Sequence, residues 1–222
     1  MATLNLSTAL DLSPLFDQIW HLAYIVIPIA ILAAVFKSAW FKGKAGEFSV
    51  NAAAKLFLDK DEYRLFKDVT IPAKGGTTQI DHIVVSKFGV FVIETKNMKG
   101  WIFGSPRQKT WTQKIYRHSS KFQNPLHQNY KHVKTLQVVL GLSDNQVFSV
   151  VVFVGDSTFK TKMPDNVTQG KGYIRFIKSK QEVVLSEREI QSIVRKIEKT
   201  RLIPSLKTNR DHVRSLRKPK NT

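Results

Sequence analysis

A chain of 222 residues with 42% hydrophobic content is long enough for one domain with extensions and can bury a core. It has no cysteine, which excludes disulfide frameworks, thiolate metal sites and cysteine nucleophiles. The formal net charge is +18 and the pI ≈ 10.1, a balance that favours polyanionic partners, nucleic acid or an anionic membrane surface, over a merely solvated basic surface.

Residues 1–14 contain no Lys or Arg. Leu15 to Phe36 is rich in apolar residues, and from Ile19 to Phe36 His21 is the one strongly polar residue. Roughly 18–20 apolar residues cross the hydrocarbon core of a bilayer. Trp20 and Tyr24 at one end and Trp40 at the other resemble interfacial anchors, and Pro28 is tolerated in membrane helices. A signal peptide would need a positive leading segment and small residues at a cleavage site, and neither is evident. Asp11 and Asp17 precede the run, and Lys37, Lys42 and Lys44 follow it. The positive-inside rule then places the C-terminal part in the cytoplasm. The expectation is a single-pass membrane protein with an outside N-terminal segment (1–14), a transmembrane helix (15–41), a globular domain (43–200) and a basic tail (201–222). The alternative is a buried or amphipathic helix of a soluble protein.

Residues 43–58 predict a helix, with Val50, Ala53, Ala54, Phe57 and Leu58 on one buried face. Glu47 shares that face, so it could reach a metal site or simply favour the helix dipole from the first turn. A strand follows from Tyr63 to Ile71, then a turn over Pro72–Gly76.

Residues 78–100 predict a β-hairpin with charges inside it: Asp81 on one strand, Glu94 and Lys96 on the other. Strand interiors are normally Val, Ile and Phe, and buried charges carry a desolvation cost that a metal or an active site explains. A four-residue turn at Ser86–Gly89 pairs Val85 with Val90 and places Asp81 opposite Glu94, with Lys96 on the same face. Opposed side chains lie roughly 5 Å apart. Two carboxylates at that separation repel unless a cation lies between them, and Mg²⁺ suits such a pair. A three-residue turn would put them on opposite faces. Both faces of the hairpin are apolar, which predicts a sheet covered on both sides.

Short strands continue through residues 98–123. Trp101, Phe103, Trp111 and Tyr116 interleave there with Lys109, Lys114 and Arg117. This pattern fits base-stacking aromatics with phosphate-holding cations, and equally core aromatics with a solvated outer face. Asn124-Pro125 starts a helix that stops at Gly141, with Leu126, Tyr130, Val133 and Leu140 as its buried stripe and Gln128 flanking it. His127 and His132 are open between surface residues and ligands. Val147–Val154 predicts a buried strand and residues 171–178 a further strand. Ser186 and Glu189 form a capping box before a helix to about Thr200. The tail from Arg201 holds seven Lys/Arg against one Asp and a possible short helix around Asp211–Arg217; it could hold nucleic acid or anionic lipid.

Taken together, Gly43-Lys-Ala-Gly46-Glu47, Gln79-Ile80-Asp81-His82-Ile83, Gly89-Val-Phe-Val-Ile-Glu94-Thr-Lys96-Asn97, Gly100-Trp-Ile-Phe-Gly104 and Asn124-Pro125-Leu-His-Gln128 resemble the NERD (nuclease-related) domain over about residues 43–155. The resemblance implies the PD-(D/E)XK nuclease-like superfamily: an α/β fold with a mixed central β-sheet flanked by helices, a restriction-endonuclease-like α/β/α core, here with an N-terminal transmembrane helix. It further implies Mg²⁺- or Mn²⁺-dependent hydrolysis of phosphodiester bonds. Carried over by position, Asp81, Glu94 and the Thr95 carbonyl are metal ligands, Lys96 is the catalytic lysine, Glu47 a helix-borne acid and Gln128 a supporting polar residue. Ile80 stands where the literal motif has proline. Lys99, Trp101, Arg107, Lys109, Lys114, Arg117, Arg210 and Arg214 are the expected nucleic-acid contacts, with DNA ahead of RNA and no sequence specificity. Two alternatives share the charge pattern: a membrane-tethered nucleic-acid-binding module without catalysis, and an interaction or scaffold protein at the membrane surface.

Overall fold

The computed structural model describes residues 13–73 and 76–202. Two compact units divide between Lys42 and Gly43. The first contains α1 (Ser13–Lys37), with Pro28 inside it, and the opening of α2 (Ala39–Phe57). Ser38 Oγ accepts from the Phe41 N–H and so caps the start of α2. Within α1, Trp20–Lys37 is long and apolar enough to cross a membrane, and none of that window is buried.

The second unit holds the rest of α2, then β1 (Arg64–Ala73), β2 (Gly76–Ser86), β3 (Gly89–Asn97), β4 (Gly100–Phe103), β5 (Thr110–Ile115) and β6 (His118–Gln123). α3 (Pro125–Leu140), β7 (Val147–Val154), β8 (Ser157–Phe159), β9 (Val167–Gln169), α4 (Gly172–Lys178) and α5 (Glu187–Thr200) complete it. A five-stranded sheet runs β1-β2-β3-β7-β9. Its first three strands are antiparallel neighbours, and β7 and β9 join in parallel. α3 and α5 cover one face, over Ile83, Val85, Val90 and Val92. α2 and α4 cover the other, over Val84, Phe91, Ile93 and Val152. This is the expected α/β architecture, and it explains why β2, β3 and β7 are apolar on both sides. Each fully buried Val, Ile or Phe there contributes roughly 1.5–3 kcal/mol.

A second sheet, order β6-β5-β4-β8, was not separable from the first in the sequence. Its strands β4, β5 and β6 are inserted between β3 and α3, β8 joins from beyond β7, and the sheet packs Ile102 and Trp111 onto Val151 and Phe153 of β7. Trp111 stacks on Phe153 with ring centroids 6.1 Å apart. Gly104 makes this possible: a Cβ at that position would collide with the Trp111 ring.

Four sequence expectations are corrected. Residues 171–178 form helix α4 rather than a strand, because Tyr173, Ile174 and Ile177 bury one helical face and the Tyr173 hydroxyl donates to Val50 O of α2 at 2.6 Å. Short apolar runs fit either period, and packing decides between them. The hairpin turn is two residues, Lys87-Phe88, because Ser86 and Gly89 pair; the expected register of Val85 with Val90 is kept. In α3, Tyr130 is 60% exposed, while Asn129, His132, Val133 and Leu136 are buried. On α2, Val50 and Ala54 are buried as expected, as is Leu58 just after it, but Phe57 lies outside under the Lys171 ammonium, 4.4 Å from its ring.

Candidate active site

β2 and β3 pair from Ser86 with Gly89 to His82 with Ile93, and the ladder stops there. The next position in register is Asp81 with Glu94. The backbones part, and the Thr95 N–H donates to Asp81 Oδ2 at 2.8 Å instead of to a main-chain carbonyl. On the other side of β2, pairing with β1 also skips Asp81, opposite Asp68. Asp68 has φ 50°, a left-handed conformation uncommon for a residue with a Cβ. Ile80 and Ile83 both pack toward α3 and α5, so the in–out alternation slips by one across Asp81-His82, as at a bulge. The acidic residue thus sits where the sheet is locally irregular.

Glu94 is buried in the sheet, 3% exposed. Its Oε1 accepts from Lys96 Nζ at 2.6 Å, and Lys96 Nζ also donates to Gln128 Oε1 at 2.9 Å. Gln128 is held by the first turn of α3. Asn124 anchors that turn: its Oδ1 accepts from the Leu126 N–H, and its Nδ2 donates to the carbonyls of Ser105, Pro106 and Gln108. Glu94 Oε2 lies 3.5 Å from His132 Nε2, and neither atom has a hydrogen-bond partner among the described residues. His132 Nδ1 is 2.7 Å from Thr78 Oγ1. Asp81, Glu94, Lys96 and Gln128 therefore belong to one constellation, as expected, and His132 and Thr78 are additions. His132 follows Gln128 by one helical turn, so both project to the same side of α3. That spacing was the available signal.

Glu47 approaches from α2. Lys44 Nζ donates to Glu47 Oε2 at 2.6 Å and to Asp68 Oδ1 at 2.7 Å. Gly46 brings α2 against the strand ends: a Cβ there would meet Asn97 Cβ at 2.8 Å and Val154 Cγ2 at 3.0 Å. Lys44 and Asp68 carried no signal in the sequence beyond their charge.

Burial, then the charge of Glu94, pushes the Asp81 carboxyl up to about 8. Burial also opposes ionisation of Glu94, but His132 and Lys96 outweigh it and hold its carboxyl below the usual range. Burial pushes Glu47 up against the opposing pull of Lys44. His82, on the α2 side of β2, is pushed down to about 4 by burial and is neutral at pH 7. The two hairpin carboxyls thus differ in protonation, as two acids sharing a site do.

Among the described residues no group of three His, Asp or Glu side chains converges to hold a metal ion. The donor set that fits one is Asp81 with Glu94, whose Oε2 is buried without a hydrogen bond. Two carboxylates, completed by backbone oxygen and water, suit Mg²⁺ or Mn²⁺. The Thr95 backbone reaches this pair through its N–H, which donates to Asp81 Oδ2. A groove of ≈ 540 Å³ lined by Leu58, Tyr63, Val194 and Glu198 contains none of these residues and lies apart from the chemistry.

Of the expected nucleic-acid contacts, Lys99, Arg107, Lys109, Lys114 and Arg117 are exposed, and Trp101 is 48% exposed with Lys160 Nζ 4.6 Å over its ring. Trp111 is core instead. His127 is a surface residue whose Nε2 donates to Pro106 O at 2.9 Å. Arg210 and Arg214, and the short helix expected at 211–217, lie outside the described residues.

Residues 42–154 match the family described as nuclease-related domain. That match spans the constellation from Glu47 to His132. An uncharacterized protein of Bacillus anthracis is 47% identical over 114 residues, covering 51% of this chain and 53% of that protein. The chain thus spans about half the length of the curated relative it matches. No solved structure matches.

Proposed function

The chain belongs to the nuclease-related domain family, within the PD-(D/E)XK-like nuclease superfamily, and from that premise we propose that it is a metal-dependent nuclease held at a membrane by α1. The observation that carries this is the meeting of Asp81, Glu94, Lys96 and Gln128 at the point where β2 and β3 part. Asp81 and Glu94 would hold Mg²⁺ or Mn²⁺. A bound ion of this kind lowers the pKa of water and offsets charge on a phosphate.

The reaction is hydrolysis of a phosphodiester: water adds to phosphorus, one P–O ester bond breaks, and the leaving oxygen is protonated. Lys96 places a cation beside the carboxylates, where it orients the attacking water or stabilises charge gathering on the phosphate. Gln128 accepts from Lys96 and fixes its position. Glu47 adds negative charge near Asp81 from α2. The net charge of +18 supports capture of the phosphate backbone without reading sequence.

A second reading, a nucleic-acid-binding module without turnover, draws on the Lys96–Glu94 ion pair, which occupies one oxygen of the expected metal ligand. Cleavage by the full chain in detergent micelles separates the two. The nuclease reading predicts that DNA or RNA is cut with Mg²⁺ or Mn²⁺ and that Glu94→Gln lowers the rate about a hundredfold or more. Equal rates for the parent and Glu94→Gln would leave the binding module.

A further inference from the structure

We propose that the outer face of the second sheet is a binding platform for single-stranded nucleic acid, with unpaired bases stacking on Trp101 and Phe103. The proposal rests on the nuclease reading for the class of ligand and adds its strandedness and where it lies.

The faces of the sheet follow from its register. Ile102, Trp111, Phe122 and Phe159 point inward onto β7. Side chains alternate along each strand, so Trp101 and Phe103 of β4 point outward. Trp101 pairs with Lys114 on one side and Thr158 on the other, and Phe103 pairs with Thr112, itself opposite Lys121. Two aromatic rings thus stand on one strand at a separation of ~6.6 Å, bordered by cations. Lys160 caps Trp101 from 4.6 Å. Beside Phe103 a groove of ≈ 510 Å³ is lined by Thr112, Lys109, Lys121 and Lys162. At one end of β5, Ile115 and Tyr116 are exposed, Tyr116 to 94% with φ 51°.

Charge selects the partner. Between Glu94 and Asp144 the sequence has no Asp or Glu, so β4, β5 and β6 carry cations alone. A polyanion is drawn to such a face. Exposed rings add stacking, which is open to bases that are unpaired and is indifferent to their identity. A duplex keeps its bases inside and offers such rings only phosphate and sugar. Position links the face to the chemistry. Strands β4 to β6 begin four residues after Lys96 and end at Gln123, five before Gln128, and Lys96 Nζ to Gln128 Oε1 closes the loop. Lys96 is also opposite Phe153, on which Trp111 stacks.

The test is fluorescence anisotropy of the full chain in detergent micelles, with labelled oligothymidylate and a blunt duplex of equal length, in EDTA so that no cleavage intervenes. The oligothymidylate binds more tightly than the duplex. Trp101→Ala weakens it about tenfold, Trp101→Phe restores most of the loss, and the duplex changes less than about twofold. Lys160→Ala weakens the single strand and flattens its salt dependence. Asp81→Asn binds like the parent, and with Mg²⁺ restored, cleavage by that variant at the parent's rate overturns the nuclease reading and leaves the platform standing. Tighter binding of the duplex, or an unchanged oligothymidylate affinity in Trp101→Ala, overturns the platform.

Discussion

Asp81 and Glu94 were legible because charge is out of place in an apolar strand, and Lys96 because it falls two residues from Glu94. His132 was not, because a lone histidine on a helix reads equally as surface or ligand until its burial against Glu94 and Thr78 is seen. Two predictions belong to these side chains. Asp81 is protonated below about 8 in the metal-free fold, whereas a metal ligand must be ionised. Divalent-cation affinity therefore falls about tenfold for each pH unit below about 8, and calorimetric titration across that range in the parent, but not in Asp81→Asn, shows it. The same raised value acts on stability. Between the ordinary carboxyl range and about 8 the folded state holds a proton that the unfolded state has lost. Stability from this group is thus full at low pH and declines as pH rises to about 8. The second prediction concerns His132, whose Nε2 lies 3.5 Å from Glu94 Oε2. Outer-shell partners of this kind are worth about ten- to a hundredfold in metal affinity. Mn²⁺ binding to His132→Ala, followed by electron paramagnetic resonance, weakens by that factor, with the circular dichroism spectrum unchanged.

At the scale of elements, the hairpin register could be read because both strands must bury apolar faces, and a slip of one residue would expose them. The shortening of the turn to Lys87-Phe88 left that register intact. α4 could not be read, since Gly172–Lys178 is too short for its period to declare itself and is fixed by contact with α2. The second sheet was hidden for a related reason: its strands of three to six residues pair with one another and with β8, which lies beyond α3. Two changes test how elements carry the site. Gly46→Val forces α2 away from Asn97 and Val154 and destabilises the fold by about 1–3 kcal/mol in urea unfolding. Asn124→Ala removes a helix cap and three bonds to the loop after β4. The cap alone is worth about 1 kcal/mol, and the unpaired loop carbonyls raise the total to about 2–3 kcal/mol, with Gln128 losing its place beside Lys96.

For the whole molecule, composition pointed to a partner class before any element was assigned: +18 charge favours a polyanion. The division between Lys42 and Gly43 separates an apolar helix from a domain that has its own sheet and core. Membrane association is testable without cutting the chain. Ile29→Arg combined with Leu32→Arg places two charges within Trp20–Lys37, each costing about 2.5–3.5 kcal/mol at a bilayer centre, and moves the protein from the membrane fraction to the soluble one. The central claim is that Asp81, Glu94 and Lys96 form a metal-dependent phosphodiesterase site. Its most direct measurement is the rate of phosphodiester cleavage by the full chain as Mg²⁺ is titrated. The expected rate depends saturably on Mg²⁺, with a midpoint moved to higher concentration by Glu94→Gln and a lower plateau at an unmoved midpoint for Lys96→Met. A rate that does not depend on the ion, or that is the same in the parent and both variants, would contradict it.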